Sequence, residues 1–139
     1  MQSNTVEPNR FKDLKILAVD DEVDSLDILT IVLEQEGAEV ISVASASAAL
    51  DIFRQVMPNL IVSDIGMPQI DGYTLIEQIR DLPQGKKIPA IALSAYTGEV
   101  NQKNSLDAGY NRHITKPIDI PELIATITEL TNVTSNLNR

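Results

Sequence analysis

The stretches Lys15–Glu22, KILAVDDE, and Asn59–Asp64, NLIVSD, decide how the rest of this chain reads. Each is a short apolar run that ends in acid: Asp20 and Asp21 close the first, Asp64 the second. Short continuous apolar runs suit strands buried on both faces, as in a parallel sheet. If the two runs are neighbouring parallel strands, their carboxyl ends share one edge of the sheet and the three carboxylates converge. Two carboxylates roughly 4 Å apart repel by about 4 kcal/mol at an effective dielectric of about 20, so such a cluster calls for a shared proton or a divalent cation. A metal held by a carboxylate trio is suited to handling phosphate.

Outward from these runs, short apolar segments alternate with segments of helical period. After KILAV, Ser25 to Glu36 sets Leu26, Leu29 and Leu33 on one face, and AEVISV follows as a strand. Ala46, Ala49, Leu50, Phe53 and Met57 form the next helical stripe, and Leu75, Ile76 and Ile79 form the one after NLIVS. AIALS leads to a helix from about Gly98 to Ala108, the least apolar of the set, with Val100 and Leu106 as its main candidates for burial. RHIT then precedes a helix whose start is marked by Asp119, Pro121 and Glu122, an acidic version of the capping box. Gly37 and Gly109 stand where helices should stop. Five β/α units predict an α/β fold, a doubly wound five-stranded parallel sheet with helices on both faces. Residues 1–13 are polar and aperiodic and read as a flexible lead, residues 14–131 as the domain, and residues 132–139 as a polar tail.

With 139 residues the chain fits one domain. A formal net charge of −9 argues against direct binding of nucleic acid, which needs clustered Lys and Arg. The absence of cysteine removes disulfides, thiolate catalysis and cysteine-type zinc sites. No apolar run approaches the length of a membrane span and the polar start lacks the core of a signal peptide, so the expected location is cytoplasmic, with no membrane contact by this domain. Asp24 and Asp27 read as exposed helix charges, because the spacing from Asp20 lacks the glycine and closing glutamate of a calcium loop.

In a parallel α/β sheet the chemistry lies just beyond the strand carboxyl ends. Asp20 and Asp21 follow the first strand, Asp64 the third, Ser94 the fourth and Lys116 the fifth. The segments VDDE, DIGMPQIDG, LSA and KP, in that order at those strand ends, resemble a response-regulator receiver domain over about Leu14 to Leu130. SDIGMPQIDGYTLIEQIR and GYNRHITKPI most resemble receivers fused to sensor histidine kinases, although a stand-alone relay receiver would carry the same residues.

The resemblance implies the strand order 2-1-3-4-5 of the flavodoxin-like fold. It implies that Asp64 accepts a phosphoryl group from a sensor histidine kinase or a histidine phosphotransfer module, acting as a reversible carrier rather than a turnover enzyme. It assigns Mg²⁺, with Mn²⁺ as a substitute, to Asp21, Asp64 and the Gly66 carbonyl, with Asp20 acting mainly through water. Lys116 would pair with Asp64 and then with the phosphoryl group, and the Ser94 hydroxyl would take another phosphoryl oxygen. Phosphorylation would then bias the face formed by helix four, strand five and helix five toward an output partner. His113 occupies a strand-five position where relatives carry a swinging Tyr or Phe, so a switch role and a fixed structural role both stand.

Gly66 and Tyr96, two residues beyond Asp64 and Ser94, correspond to positions that influence how water reaches the acyl phosphate. The Lys116–Pro117 bond resembles one that is cis in the family. Met67 and Pro68 shape the acceptor loop, while Asp71 and Gly72 form a turn in which glycine supplies a conformation that other residues resist. A flavodoxin-like FMN carrier and an aspartyl-phosphate phosphatase are the alternatives. The first is disfavoured by acid in the first βα loop, the second by a nucleophile after strand three instead of strand one.

Overall fold

A computed structural model of the chain describes residues 9–95 and 99–131, with the backbone alone at 99–101. The elements run β1 (Lys15–Val19), α1 (Val23–Gln35), β2 (Glu39–Val43), α2 (Ala46–Val56), β3 (Leu60–Asp64), α3 (Gly72–Asp81), β4 (Ala90–Ser94), α4 (Glu99–Ala108), β5 (Arg112–Thr115) and α5 (Ile120–Thr131). A single 3₁₀ turn, Pro83–Gly85, joins α3 to β4. The five strands form one sheet in the order β2-β1-β3-β4-β5, every pair parallel. Both the fold class and the strand order expected from the sequence are thus observed.

Alternation along the strands divides the core in two. Ile16, Ala18, Val62, Ile91, Leu93 and Ile114 face the layer of α1 and α5. Leu17, Val19, Ile61, Ala90 and Ala92 face the layer of α2 and α3. Burial on both faces is what makes β1, β3 and β4 continuously apolar, whereas edge strand β2 is only partly covered. No helix among the described residues is long and apolar enough to cross a membrane.

The caps expected from the sequence are present. Asp119 accepts the amide of Glu122 at 3.2 Å at the head of α5, and Gly37 and Gly109 take positive φ angles of 95° and 134° after α1 and α4. The Lys116–Pro117 peptide is cis.

Four local expectations need correction. The lead is already packed before residue 14: Phe11 is fully buried in the α1/α5 layer, and its amide donates to Glu36 O at 2.7 Å. Met57 leaves the α2 stripe because it ends the helix in the left-handed conformation, φ 50°, ahead of Pro58, and half of its surface is exposed. Leu106 is also half exposed, and Ser105 is the buried residue of that turn; the Val100 side chain and Tyr96 lie outside the described residues. Gly72 is the first residue of α3, and its requirement is close approach, described below, with no positive φ. Residues 1–8 and the tail, 132–139, lie outside the described residues.

The burial of Phe11 gives a direct expectation. Phe11→Ala should lower the unfolding free energy by about 3–5 kcal/mol, the usual cost of deleting a buried phenylalanine. Urea denaturation followed by circular dichroism measures it. A change below about 0.5 kcal/mol, typical of a surface position, would return Phe11 to the lead.

Candidate phosphoryl site

Strand register gathers the site. Val19 pairs with Ser63, so Asp20 and Asp64 emerge side by side from β1 and β3. On the other side Ser94 pairs with Thr115, so Lys116 leaves β5 next to the end of β4. Oxygen atoms of Asp20, Asp21 and Asp64 all lie within 4.8 Å of one another, with Asp20 and Asp64 buried and Asp21 exposed. Asp21, Glu22, Asp64, Gly66, Ser94 and Lys116 line an open hollow of about 240 Å³ at this edge. The convergence read from strand ends is therefore present, and Ser94, 2% exposed, sits within it.

Lys116 holds the acids together, with a different first partner from the one expected. Its ammonium lies 2.8 Å from Asp20 Oδ2, 3.5 Å from Asp64 Oδ1 and 3.5 Å from Glu22 Oε1. The main pair is with Asp20, whose other oxygen accepts the Glu22 amide at 2.9 Å. Glu22 belongs to this site and was not among the residues singled out from the sequence. Its position beside Asp21 at the strand end was the available signal.

Burial pushes the Asp64 carboxyl up, and the Asp20 charge adds to that. Lys116 and the Gly66 amide, 3.4 Å from Oδ1, oppose it, and the net direction is upward. For Lys116, burial pulls the ammonium down, but the hydrogen bond to Asp20 and the charges of Asp64, Asp20 and Glu22 outweigh it, so it is held above the usual lysine value. Each charge is therefore defined by the others. Removing one partner of such a buried pair leaves an uncompensated ion, which costs more than the pair contributes.

The donor set has the chemistry of a hard-cation site. It consists of three carboxylates with no imidazole or thiolate among them, one of the three facing solvent, which suits an ion that keeps several of its waters. On the Gly66 side the hollow is open, because a Cβ there would meet no heavy atom within 4 Å.

The floor of the loop after β3 is packed tightly. A Cβ at Gly72 would stand 2.6 Å from the Asp64 carbonyl oxygen and 2.8 Å from Ile65 Cα. Tyr110, 3% exposed, donates its hydroxyl to Gly72 O at 2.7 Å, and burial raises its phenol well above the usual value. Asp71 caps α3 by accepting the Thr74 amide, and Met67 is buried against the α2/α3 layer, so these residues shape the loop as expected. His113 points toward α4, with Nδ1 2.9 Å from Ser105 Oγ. Asp24 and Asp27 are exposed on α1.

Residues 16–128 match the family model described as the response regulator receiver domain. The chain is 44% identical over 114 residues to an uncharacterized 14.6 kDa protein of Leptolyngbya boryana, covering 82% of this chain and 87% of that protein. It is 37% identical over 122 residues to the probable transcriptional regulator ycf27 of Cyanophora paradoxa, covering 88% of this chain and spanning 50% of that longer relative. In three dimensions it is similar to a putative response regulator from Chloroflexus aurantiacus, with a TM-score of 0.82 and 30% identity over 86% of this chain and 98% of that one.

The close approach at Gly72 predicts that Gly72→Ala will destabilise the fold by about 1–3 kcal/mol, because the obstructing atoms are backbone and cannot rotate away. Gly66→Ala, which enters open space, should change stability by less than about 0.5 kcal/mol. Parallel urea titrations compare the two, and equal losses would contradict the packing described.

Proposed function

Because the chain belongs to the response regulator receiver domain family, we propose that it is the phosphoacceptor module of a two-component or phosphorelay pathway, with Asp64 as the acceptor. The observation that carries this reading is the gathering of Asp20, Asp21 and Asp64 at the carboxyl edge of the sheet, with the Lys116 ammonium against Asp20 and Asp64. An Asp64 oxygen attacks the phosphorus of a phosphohistidine, an acyl phosphate forms, and the electrons of the broken P–N bond return to the imidazole.

The chain's own residues supply position and charge. Lys116 is near enough to Asp64 to pair with a phosphoryl oxygen, and the buried Ser94 hydroxyl at the adjacent strand end stands to take another. Asp21, Asp64 and the Gly66 carbonyl would hold Mg²⁺, or Mn²⁺ in its place, with Asp20 tied to Lys116 and acting through water. When bound, such an ion offsets the negative charge of the phosphoryl oxygens. His113, on the strand that delivers Lys116, serves as the switch residue.

The donor is a sensor histidine kinase or a histidine phosphotransfer module, and the setting is the cytoplasm. Output passes through the surface of α4, β5 and α5 to a protein partner. A flavin carrier fits poorly, because Asp20, Asp21 and Glu22 in the first βα loop repel the phosphate that a flavin would place there. A phosphatase of the aspartyl type would place its nucleophile after β1, where Asp20 is already committed to Lys116 and the Glu22 amide.

Incubation with radiolabelled acetyl phosphate and Mg²⁺ tests the assignment. Labelling should reach one phosphoryl group per chain, vanish with EDTA, and be lost in Asp64→Asn while the circular dichroism spectrum is unchanged. Label that persists in Asp64→Asn would place the acceptor elsewhere. Asp21→Asn should weaken Mg²⁺ binding by about 10-fold or more in calorimetry, since it removes a charged ligand of a cation that binds through few protein oxygens.

A further inference from the structure

The described side chains of α4, Gln102 to Ala108, meet the sheet differently from those of its neighbours. α1, α2, α3 and α5 each bury a stripe of apolar side chains. From Gln102 to Ala108 on α4, the one side chain fully withdrawn from solvent is that of Ser105, while Leu106 is half exposed and Lys103 and Asp107 pair with each other in solvent. The Ser105 hydroxyl lies 2.9 Å from Nδ1 of His113 on β5. His113 pairs in register with Ala92, and Thr115, on the same face one alternation further along, pairs with Ser94. The bond thus spans from the weakly anchored helix to the strand that ends at Lys116.

We infer that the Ser105–His113 hydrogen bond is a latch that fixes α4 on β5, so that the helix and the imidazole move as one element. A hydroxyl can donate to a bare imidazole nitrogen or accept from a protonated one, so the bond is compatible with either tautomer. It is directional, and rotation of the ring away from α4 breaks it. An apolar stripe tolerates small sliding, whereas this contact is either made or lost. If Asp64 is the acceptor proposed above, rearrangement at Ser94 reaches α4 through the neighbouring rung that carries this bond. A protein partner that grips α4 then also holds His113.

Hydrogen exchange of the full chain, with Ser105→Ala, His113→Phe and the double variant, tests the latch. Amides of residues 102–108 should exchange about fivefold faster in Ser105→Ala, the factor a net hydrogen bond of ordinary strength supplies, with β1 and β3 unchanged. Once His113 is Phe, Ser105→Ala should have a smaller effect on α4 than it has in the native chain. Unchanged α4 exchange in Ser105→Ala, equal acceleration across the whole chain, or a Ser105→Ala effect that is undiminished in the His113→Phe background would each overturn the latch.

A second arm separates this inference from the acceptor assignment. After Mg²⁺ and acetyl phosphate, wild-type α4 should change its exchange rate, and Ser105→Ala should lose at least half of that change at equal labelling. An undiminished change would overturn the latch. Failure of wild type to take label counts against Asp64 as acceptor, and the unlabelled comparison then decides the latch alone.

Discussion

One ammonium among three carboxylates is the constraint on which this structure turns. Asp20, Glu22 and Asp64 all lie within 3.5 Å of Lys116 Nζ, and Asp20 and Lys116 are 96 residues apart in sequence. Only a parallel sheet with β1, β3, β4 and β5 in a common register brings those positions to one edge. The charges do not drive the fold, because taking buried ions out of water costs about as much as their attraction returns. The two apolar layers fix the sheet, and the sheet imposes the cluster. A site of this kind is held under electrostatic tension by packing elsewhere, which suits it to a ligand that brings both a cation and an anion.

The packing that imposes the cluster is most exacting beneath Asp64. Gly72 lets the start of α3 lie against the Asp64 carbonyl, and Tyr110, from beyond α4, closes the same spot by donating to Gly72 O. Backbone on backbone leaves no side chain to adjust, so the loop after Asp64 is positioned by β3, α3 and the α4–β5 turn together. Arg80 extends the same arrangement, donating to Gly109 O at 2.7 Å, Ile88 O at 2.6 Å and Gly85 O at 2.9 Å. The two connections that lead into β4 and β5 are thereby tied to α3, while the opposite edge is left free for chemistry.

What the sequence made legible follows from what periodicity records. Burial on both faces leaves a continuous apolar run, burial on one face of a helix leaves a stripe, and acid at the end of a run marks the edge of the sheet. The strands, the helices and the Asp trio were readable for those reasons. Phe11 was not, because a single buried aromatic among polar neighbours has no period. Met57 continued a stripe that the backbone had already left, a consequence of the proline after it. The preference of Lys116 for Asp20 over Asp64 is a matter of about 0.7 Å between two carboxylates, set by side-chain geometry that spacing does not encode. His113 stood out in sequence as the residue at the strand-five switch position, but Ser105 interrupts no pattern, and only the structure shows that the two meet.

Stability is also unevenly distributed, and the unevenness lies where the proposed switch needs it. A phosphoryl group on Asp64 would gain charge-assisted hydrogen bonds worth about 1.5–3 kcal/mol each, and it can move only elements whose displacement costs less than that sum. α3 could not be displaced within that limit, because Leu75, Ile76 and Ile79 are fully buried and deleting any one such side chain costs about 2–5 kcal/mol. α4, with a hydroxyl as the buried side chain among its described residues, falls within reach. The low apolar content of α4 is therefore the physical property that would let a charge at one end of the sheet be felt on the surface.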